Sequence, residues 1–263
     1  KLPVSVILLH ITIIILFFGE HEMAEYIVIF IFAVISGIAQ GVCGFGAGVI
    51  MMIILPYFFS ISQSAGIAGL ISMALIVLMV IRYRKHIRMK NVIPPVILYA
   101  AVSATAIYFS PMVDQVLLKR LFGAFLILIT LYHFFLDKKS SVKKWPVPVS
   151  IAAIIFSGAC SGLFSVGGPL MVIYYMAHTD SKEEFLGTTE MLFMLNLILS
   201  TYLRIRNGII VAAHIPYILV GIAAISIGFV LANKIVDKVD GRRLKNIVYA
   251  GVGISGILNL FGA

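Results

Sequence analysis

Residues 157–169 read SGACSGLFSVGGP, a glycine-rich stretch inside an apolar run that extends from residue 147 to residue 177. The run is too long for one membrane helix of about 20 residues and too short for two. Glycines favour a break in the helix, and backbone groups left without partners in hydrocarbon are costly. The broken backbone must therefore be buried in protein or line a wet cavity.

A second stretch, SGIAQGVCGFGAG at residues 36–48, interrupts the apolar run 26–59 in the same way. At an offset of 121 residues, the matching pairs are Ser36 with Ser157, Gly37 with Gly158, Gly41 with Gly162, Gly46 with Gly167, Gly66 with Gly187, Met73 with Met194, Leu78 with Leu199 and Pro95 with Pro216. We infer an internal duplication of about 110 residues. Repeat 1 is 24–136, repeat 2 is 147–262, and an extra helix at 4–18 precedes them in a single transmembrane domain, 1–263.

The composition is that of an all-α polytopic membrane protein. The chain is 61% hydrophobic and 12% charged, with a mean hydropathy of +1.09, so it lacks the residues for a soluble surface. The net charge is +9, and the Lys and Arg residues lie in short gaps between apolar runs. This placement is typical of loops that face anionic lipid, and it does not indicate a nucleic-acid surface. Cys43 and Cys160 lie in apolar runs and are interpreted as packing residues. We expect a multi-pass protein of the cell membrane, in a bacterial or archaeal inner membrane.

The positive charges bear on the topology of the two long runs. If each run is a re-entrant pair of half-helices, the repeats are inverted, with 16 Lys and Arg inside and 4 outside. If each run crosses once, the repeats are parallel and the counts are 11 and 9. The length of 26–42, about 26 Å as a helix, argues for the parallel model. We expect inverted repeats, because the charge bias is the stronger signal.

The two breaks predict a binding site for an anion. Pro169 follows Gly167 and Gly168, and proline is favoured at the first position of a helix. The free amides of a helix start attract anions, and transporters use broken helices in this way near the bilayer midplane. The alternative is close helix packing through small residues alone. The candidate substrate-binding residues are Gln40, Gly44, Phe45, Gly46, Ala47, Gly48, Ser161, Ser165, Val166, Gly167, Gly168 and Asn196.

Ionisable residues within the runs are few. Glu190 is the one acidic residue in an apolar run, and it is either a proton carrier near the cavity or a side chain that reaches the headgroups. Arg82 and Arg204 lie at helix ends and are interpreted as loop anchors. We therefore expect no central cation, so that backbone amides and hydroxyls hold the anion. Nothing nominates a catalytic residue, a metal site or a cofactor, so we do not expect an enzyme.

The duplicated glycine motif, with a small-residue helix before it and an apolar helix after it, resembles the sulfite exporter TauE/SafE family over residues 24–262. The second copy, from Ser161 to Val172, is the closer match, although the usual Gly-x-Gly-Gly-Gly core has become Ser165-Val166-Gly167-Gly168-Pro169. The resemblance implies a secondary transporter for a small sulfur-containing anion, such as sulfite or an organosulfonate.

Two alternatives stay open, a permease for a different small solute and a non-transporting membrane subunit. The expected partners are a small anionic substrate and the lipid bilayer, with no nucleic acid. A homodimer stays open.

Overall fold

The computed structural model describes residues 20–43, 46–135, 146–235 and 241–261, and the regular structure of these residues is helical. The helices are α1 (Glu20–Cys43), α2 (Ala47–Ile54), α3 (Ile61–Tyr83), α4 (Met89–Phe109), α5 (Gln115–Phe135), α6 (Val147–Phe164), α7 (Gly168–His178), α8 (Lys182–Arg206), α9 (Ile215–Ile235) and α10 (Gly241–Phe261). The expected helix at 4–18 and the site residues Gly44 and Phe45 lie outside the described residues.

The helices confirm the prediction of an all-α polytopic membrane protein. Within the described residues, seven helices are long and apolar enough to cross a membrane, namely α1, α3, α4, α5, α6, α8 and α9. Large apolar side chains also cover the outside of the bundle; Ile97 and Phe135 are 65% and 71% exposed. Such a surface requires hydrocarbon as its solvent.

Short local signals set where the helices begin and end. Ser60 caps α3 in a capping box with Gln63, and Ser181 caps α8 by accepting from the backbone N–H of Glu184. Gly46, with φ of 111°, is the N-cap residue that precedes α2, and its left-handed backbone suits glycine. Ser165 ends α6 with φ of 54°, which is uncommon for a residue with a side chain.

Each glycine-rich break joins a long helix to a short one. α1 has 24 residues and α6 has 18, whereas α2 has 8 and α7 has 11. The expectation of two half-helices in each long run is therefore wrong for the first member of each pair. The helices continue through Gly37 and Gly158 because neighbouring backbones cover these glycines, and the chain breaks only at the later glycines.

Two pairs of helices run in parallel at close distance. On α1, Gly37 faces Ile225 and Gly41 faces Ala232 of α9; on α6, Gly158 faces Tyr99 and Gly162 faces Ser103 of α4. The first two glycines of each motif therefore serve close helix packing, as small-xxx-small pairs do in membrane proteins. Gly37 and Gly158 match at the sequence offset of 121, but the residues that they face, Ile225 and Tyr99, are five positions further apart than that. The contacts of α9 are therefore shifted along the helix relative to those of α4, and Pro95 and Pro216 do not occupy equivalent places in them.

The first hairpin, α1 with α2, has both outer ends at one face of the bundle. The ring of Tyr26, near the start of α1, stacks on Tyr217 at 4.4 Å, near the start of α9. Phe59, which follows the turn Leu55–Tyr57 after α2, contacts the same Tyr217 ring at 5.1 Å. We call this end of the bundle the Tyr217 face.

The second hairpin, α6 with α7, opens to the opposite end. Tyr175, near the end of α7, donates a hydrogen bond of 3.1 Å to the carbonyl oxygen of Asn91, near the start of α4. Arg88 lies beside Asn91, and we call this end the Arg88 face. These helix directions agree with inverted repeats, and the duplication itself stays an inference from the sequence. The positive-inside rule predicts that the Arg88 face is cytoplasmic.

Candidate functional site

The two breaks meet at a cavity of about 90 Å³ inside the bundle. Its lining includes eleven of the thirteen residues that the sequence nominates: Gln40, Gly46, Ala47, Gly48, Ser161, Ser165, Val166, Gly167, Gly168, Glu190 and Asn196. The other two, Gly44 and Phe45, lie outside the described residues. The structure thus brings the nominated residues together, and their role as substrate ligands stays a prediction.

The starts of the two short helices converge on this cavity. α2 runs from Gly46 towards the Tyr217 face, and α7 runs from Gly168 towards the Arg88 face. A methyl group on Gly48 would lie 3.0 Å from the carbonyl oxygen of Ser165, so the tips of the two hairpins are in contact. Both helix dipoles therefore present their positive ends to one place.

Gln40 links the first break to α8. Its Oε1 accepts a hydrogen bond of 3.2 Å from the backbone N–H of Ala47, and its Nε2 donates to Glu190 Oε1 at 3.4 Å. Glu190 is 2% exposed, and its other oxygen, Oε2, has no hydrogen-bond partner within the described part of the chain. This burial favours the reading of Glu190 as a cavity residue over the reading in which it reaches the headgroups.

Asn196 and the serines of the second break form the other side of the cavity. Asn196 Nδ2 donates to Ser161 Oγ at 3.2 Å, while Asn196 Oδ1 makes no hydrogen bond with the described residues. Ser165 Oγ donates to the carbonyl oxygen of Ala65 on α3 at 2.5 Å, which ties the tip of the second hairpin to the first repeat. The site therefore combines backbone and side chains from both repeats.

Sequence reasoning missed several lining residues on helices that carry no break. Tyr99 of α4 is fully buried beside Ser161, and the Oγ of Ser72 on α3 has no hydrogen-bond partner among the described residues. The sequence repeat contains a signal for one of these two residues, Ser72. The offset of 121 relates Glu190 to Gly69 and Phe193 to Ser72, and all four residues line the cavity. No sequence pattern nominates Tyr99.

Arg204 corrects the expectation that no cation lies inside the protein. It is 2% exposed, although it is only two residues from the end of α8, and its guanidinium donates to two backbone carbonyls. Arg82, in contrast, is exposed at the end of α3, as the loop-anchor interpretation requires. The rotation of α8 turns Arg204 inward, and the sequence gives no direct signal of that rotation.

The cavity suits a small polar solute. A volume of about 10–15 Å³ is enough for one water molecule, so about 90 Å³ has room for an ion of a few heavy atoms but not for a large organic ligand. Within the described residues, no three His, Cys, Asp or Glu side chains cluster as metal ligands. The hydroxyl group of Ser72 and the backbone N–H groups at the helix starts are hydrogen-bond donors, which an anion needs.

Comparison with known proteins agrees with this reading. A family model described as Sulfite exporter TauE/SafE matches residues 29–258, which is most of the chain. Searches of the curated proteins and of the solved structures gave no match.

Proposed function

Because the chain belongs to the sulfite exporter TauE/SafE family, we propose that it is a secondary transporter of a small sulfur-containing anion. Sulfite or an organosulfonate would bind in the cavity between the two breaks, near the bilayer midplane. The observation that carries this proposal is the convergence of the starts of α2 and α7 on one cavity of about 90 Å³.

Anion recognition here would rest on hydrogen-bond donors fixed by the fold. The backbone N–H groups in the first turns of α2 and α7 have no partners within their own helices. Gln40 of α1 accepts a hydrogen bond from that of Ala47, and Pro169 has no N–H to donate. The hydroxyls of Tyr99 and Ser72 add donors from two other helices. A sulfite or sulfonate group presents three oxygens in different directions, so donors from several helices can bind it at once.

Glu190 supplies a physical reason for proton coupling. Glu190 lines the same small cavity, and a carboxylate and a bound anion in a low-dielectric site repel each other strongly. A proton on Glu190 removes this repulsion and turns the carboxyl group into a donor for the anion. We propose that the anion and a proton occupy the site together, so that a proton gradient drives the anion.

The test is transport by the purified protein in proteoliposomes. We expect uptake of radiolabelled sulfite or methanesulfonate above that of protein-free liposomes, and stimulation by a proton gradient directed into the vesicles. Chloride and nitrate serve as competitors without sulfur, and we expect them to compete weakly. Lack of protein-dependent movement of every sulfur anion tried would contradict the proposal.

A further inference from the structure

Arg204 is a buried cation next to the proposed site. Its guanidinium donates from Nη1 to the carbonyl oxygen of Ser62 at 2.9 Å and from Nη2 to the carbonyl oxygen of Gly162 at 2.6 Å. Gly162 lies in the last turn of α6, where the helix dipole favours a positive charge. These bonds connect α8 to α3 and α6, but backbone carbonyls carry only partial charge and do not neutralise the guanidinium.

No carboxylate pairs with Arg204 within the part of the chain that the structure describes. Both ion pairs there belong to Arg88, which contacts Asp180 and the buried Glu184 at 3.2 Å each. A buried charge without an opposite charge is costly, and such residues in membrane proteins mark ion or substrate pathways. The charge of Arg204 therefore requires a counter-ion, and no carboxylate among the described residues contacts the guanidinium.

The position of Arg204 points to the cavity as the place of that counter-ion. Ser200, which lines the cavity, precedes Arg204 by one turn on α8, about 6 Å along the helix axis. Ser161, another lining residue, is the neighbour of Gly162, to which Arg204 donates. Glu190 lies at the other end of the cavity on the same helix, so α8 carries an acidic and a basic residue with the cavity between them.

We propose that Arg204 is the fixed counter-charge of the anion site. It balances the Glu190 carboxylate when the cavity is empty, and it balances the bound anion when Glu190 carries the proton. The charge of the buried region is then the same in both states, because the anion and its proton enter together. This inference rests on the proposed function, and it assigns electrostatic selection of the anion to a residue outside the cavity lining.

A purely structural role makes a different prediction. If Arg204 only ties α3, α6 and α8 together, its loss distorts the cavity and weakens every ligand by a similar factor. A counter-charge acts in proportion to the charge of the ligand, since the Coulomb energy is linear in that charge. A factor of n for a monoanion then becomes a factor of about n² for a dianion of similar shape.

The experiment measures the dissociation constants of methanesulfonate, a monoanion, and sulfate, a dianion, in detergent at fixed ionic strength. Arg204→Gln should weaken methanesulfonate by a measurable factor n and sulfate by about n². The matched control is Arg206→Gln, which removes the same charge from an exposed position of the same helix, and we expect both constants within about twofold of the wild type, since exposed charges are screened.

Arg204→Lys is a second variant that tests the inference if Arg204→Gln does not fold. Lysine preserves the charge but not the two-pronged contact with Ser62 and Gly162, so a counter-charge role predicts that both dissociation constants stay within about threefold of the wild type, whereas a structural role predicts that both rise together. Equal loss of both ligands in either variant overturns the inference and leaves the proposed function standing. A wild-type protein that binds neither probe overturns the proposed function and this inference with it.

Discussion

Gly167→Ala tests whether the second break forms the anion site. A methyl group at this position would overlap Tyr99 Oη and would lie 2.7 Å from the carbonyl oxygen of Ser157 and 2.8 Å from Ser161 Cβ. The backbone oxygen cannot turn away as a flexible side chain does, and Tyr99 is fully buried. The substitution therefore shifts the tip of the hairpin, the tyrosine or both.

The magnitude follows from these contacts. Overpacking of a close-packed interior costs about 1–3 kcal/mol, so we expect the free energy of unfolding to fall by that amount. Loss of the Tyr99 hydroxyl as a donor to the anion costs a further ~1.5–3 kcal/mol of binding free energy, since hydrogen bonds to charged groups are worth that much. The dissociation constant should then rise about ten- to hundredfold.

The assay is thermal denaturation in detergent with and without methanesulfonate, because a ligand that binds only the folded protein raises its apparent stability. Gly168→Ala is the matched control. Its methyl group would meet only Phe193 Cζ at 3.9 Å, an ordinary contact, so we expect wild-type stability and binding within a fewfold. A Gly167→Ala protein with wild-type stability and affinity would refute the reasoning from the geometry of this break.

Three further predictions concern packing, coupling and topology. Gly37→Ala places a methyl group against the carbonyl oxygen of Ile225 on α9 and should lower the free energy of unfolding by about 1–3 kcal/mol. Gly251→Ala, with nothing within 4 Å of the new methyl group, should raise the free energy of unfolding by up to about 1 kcal/mol. Equal stability of the two variants in reversible denaturation would contradict this prediction. Glu190→Gln should retain anion exchange but lose uptake driven by a proton gradient, because glutamine cannot carry the proton. Continued proton-driven uptake by this variant would contradict the role of Glu190 in coupling. Cysteines at the exposed Lys85 and Asn207, in a background without the native cysteines, should react with an impermeant thiol reagent from opposite sides of the membrane. Labelling from the same side would contradict inverted repeats.

Helix α8 holds cavity residues that the sequence predicts and one buried residue that it does not. Its polar residues Glu190 and Asn196 stand out in an apolar run, so the sequence could nominate them, and both line the cavity. Arg204 lies at the end of the same run, where arginines ordinarily reach the headgroups, so its position in the sequence predicts a loop anchor. Its burial depends on the carbonyls of Ser62 and Gly162, which are distant in sequence, and no local pattern reports such partners.

The sequence by itself determined the membrane class, the two breaks and most residues around them. These properties follow from local composition, because hydrocarbon demands apolar helices and closely spaced glycines weaken a helix locally. Only the tertiary structure decided that the hairpins open to opposite faces, that Tyr99 joins the cavity and that Arg204 is buried. Each of these depends on the rotation and register of one helix against another, which arise from packing between distant segments and leave no periodic signal in either one.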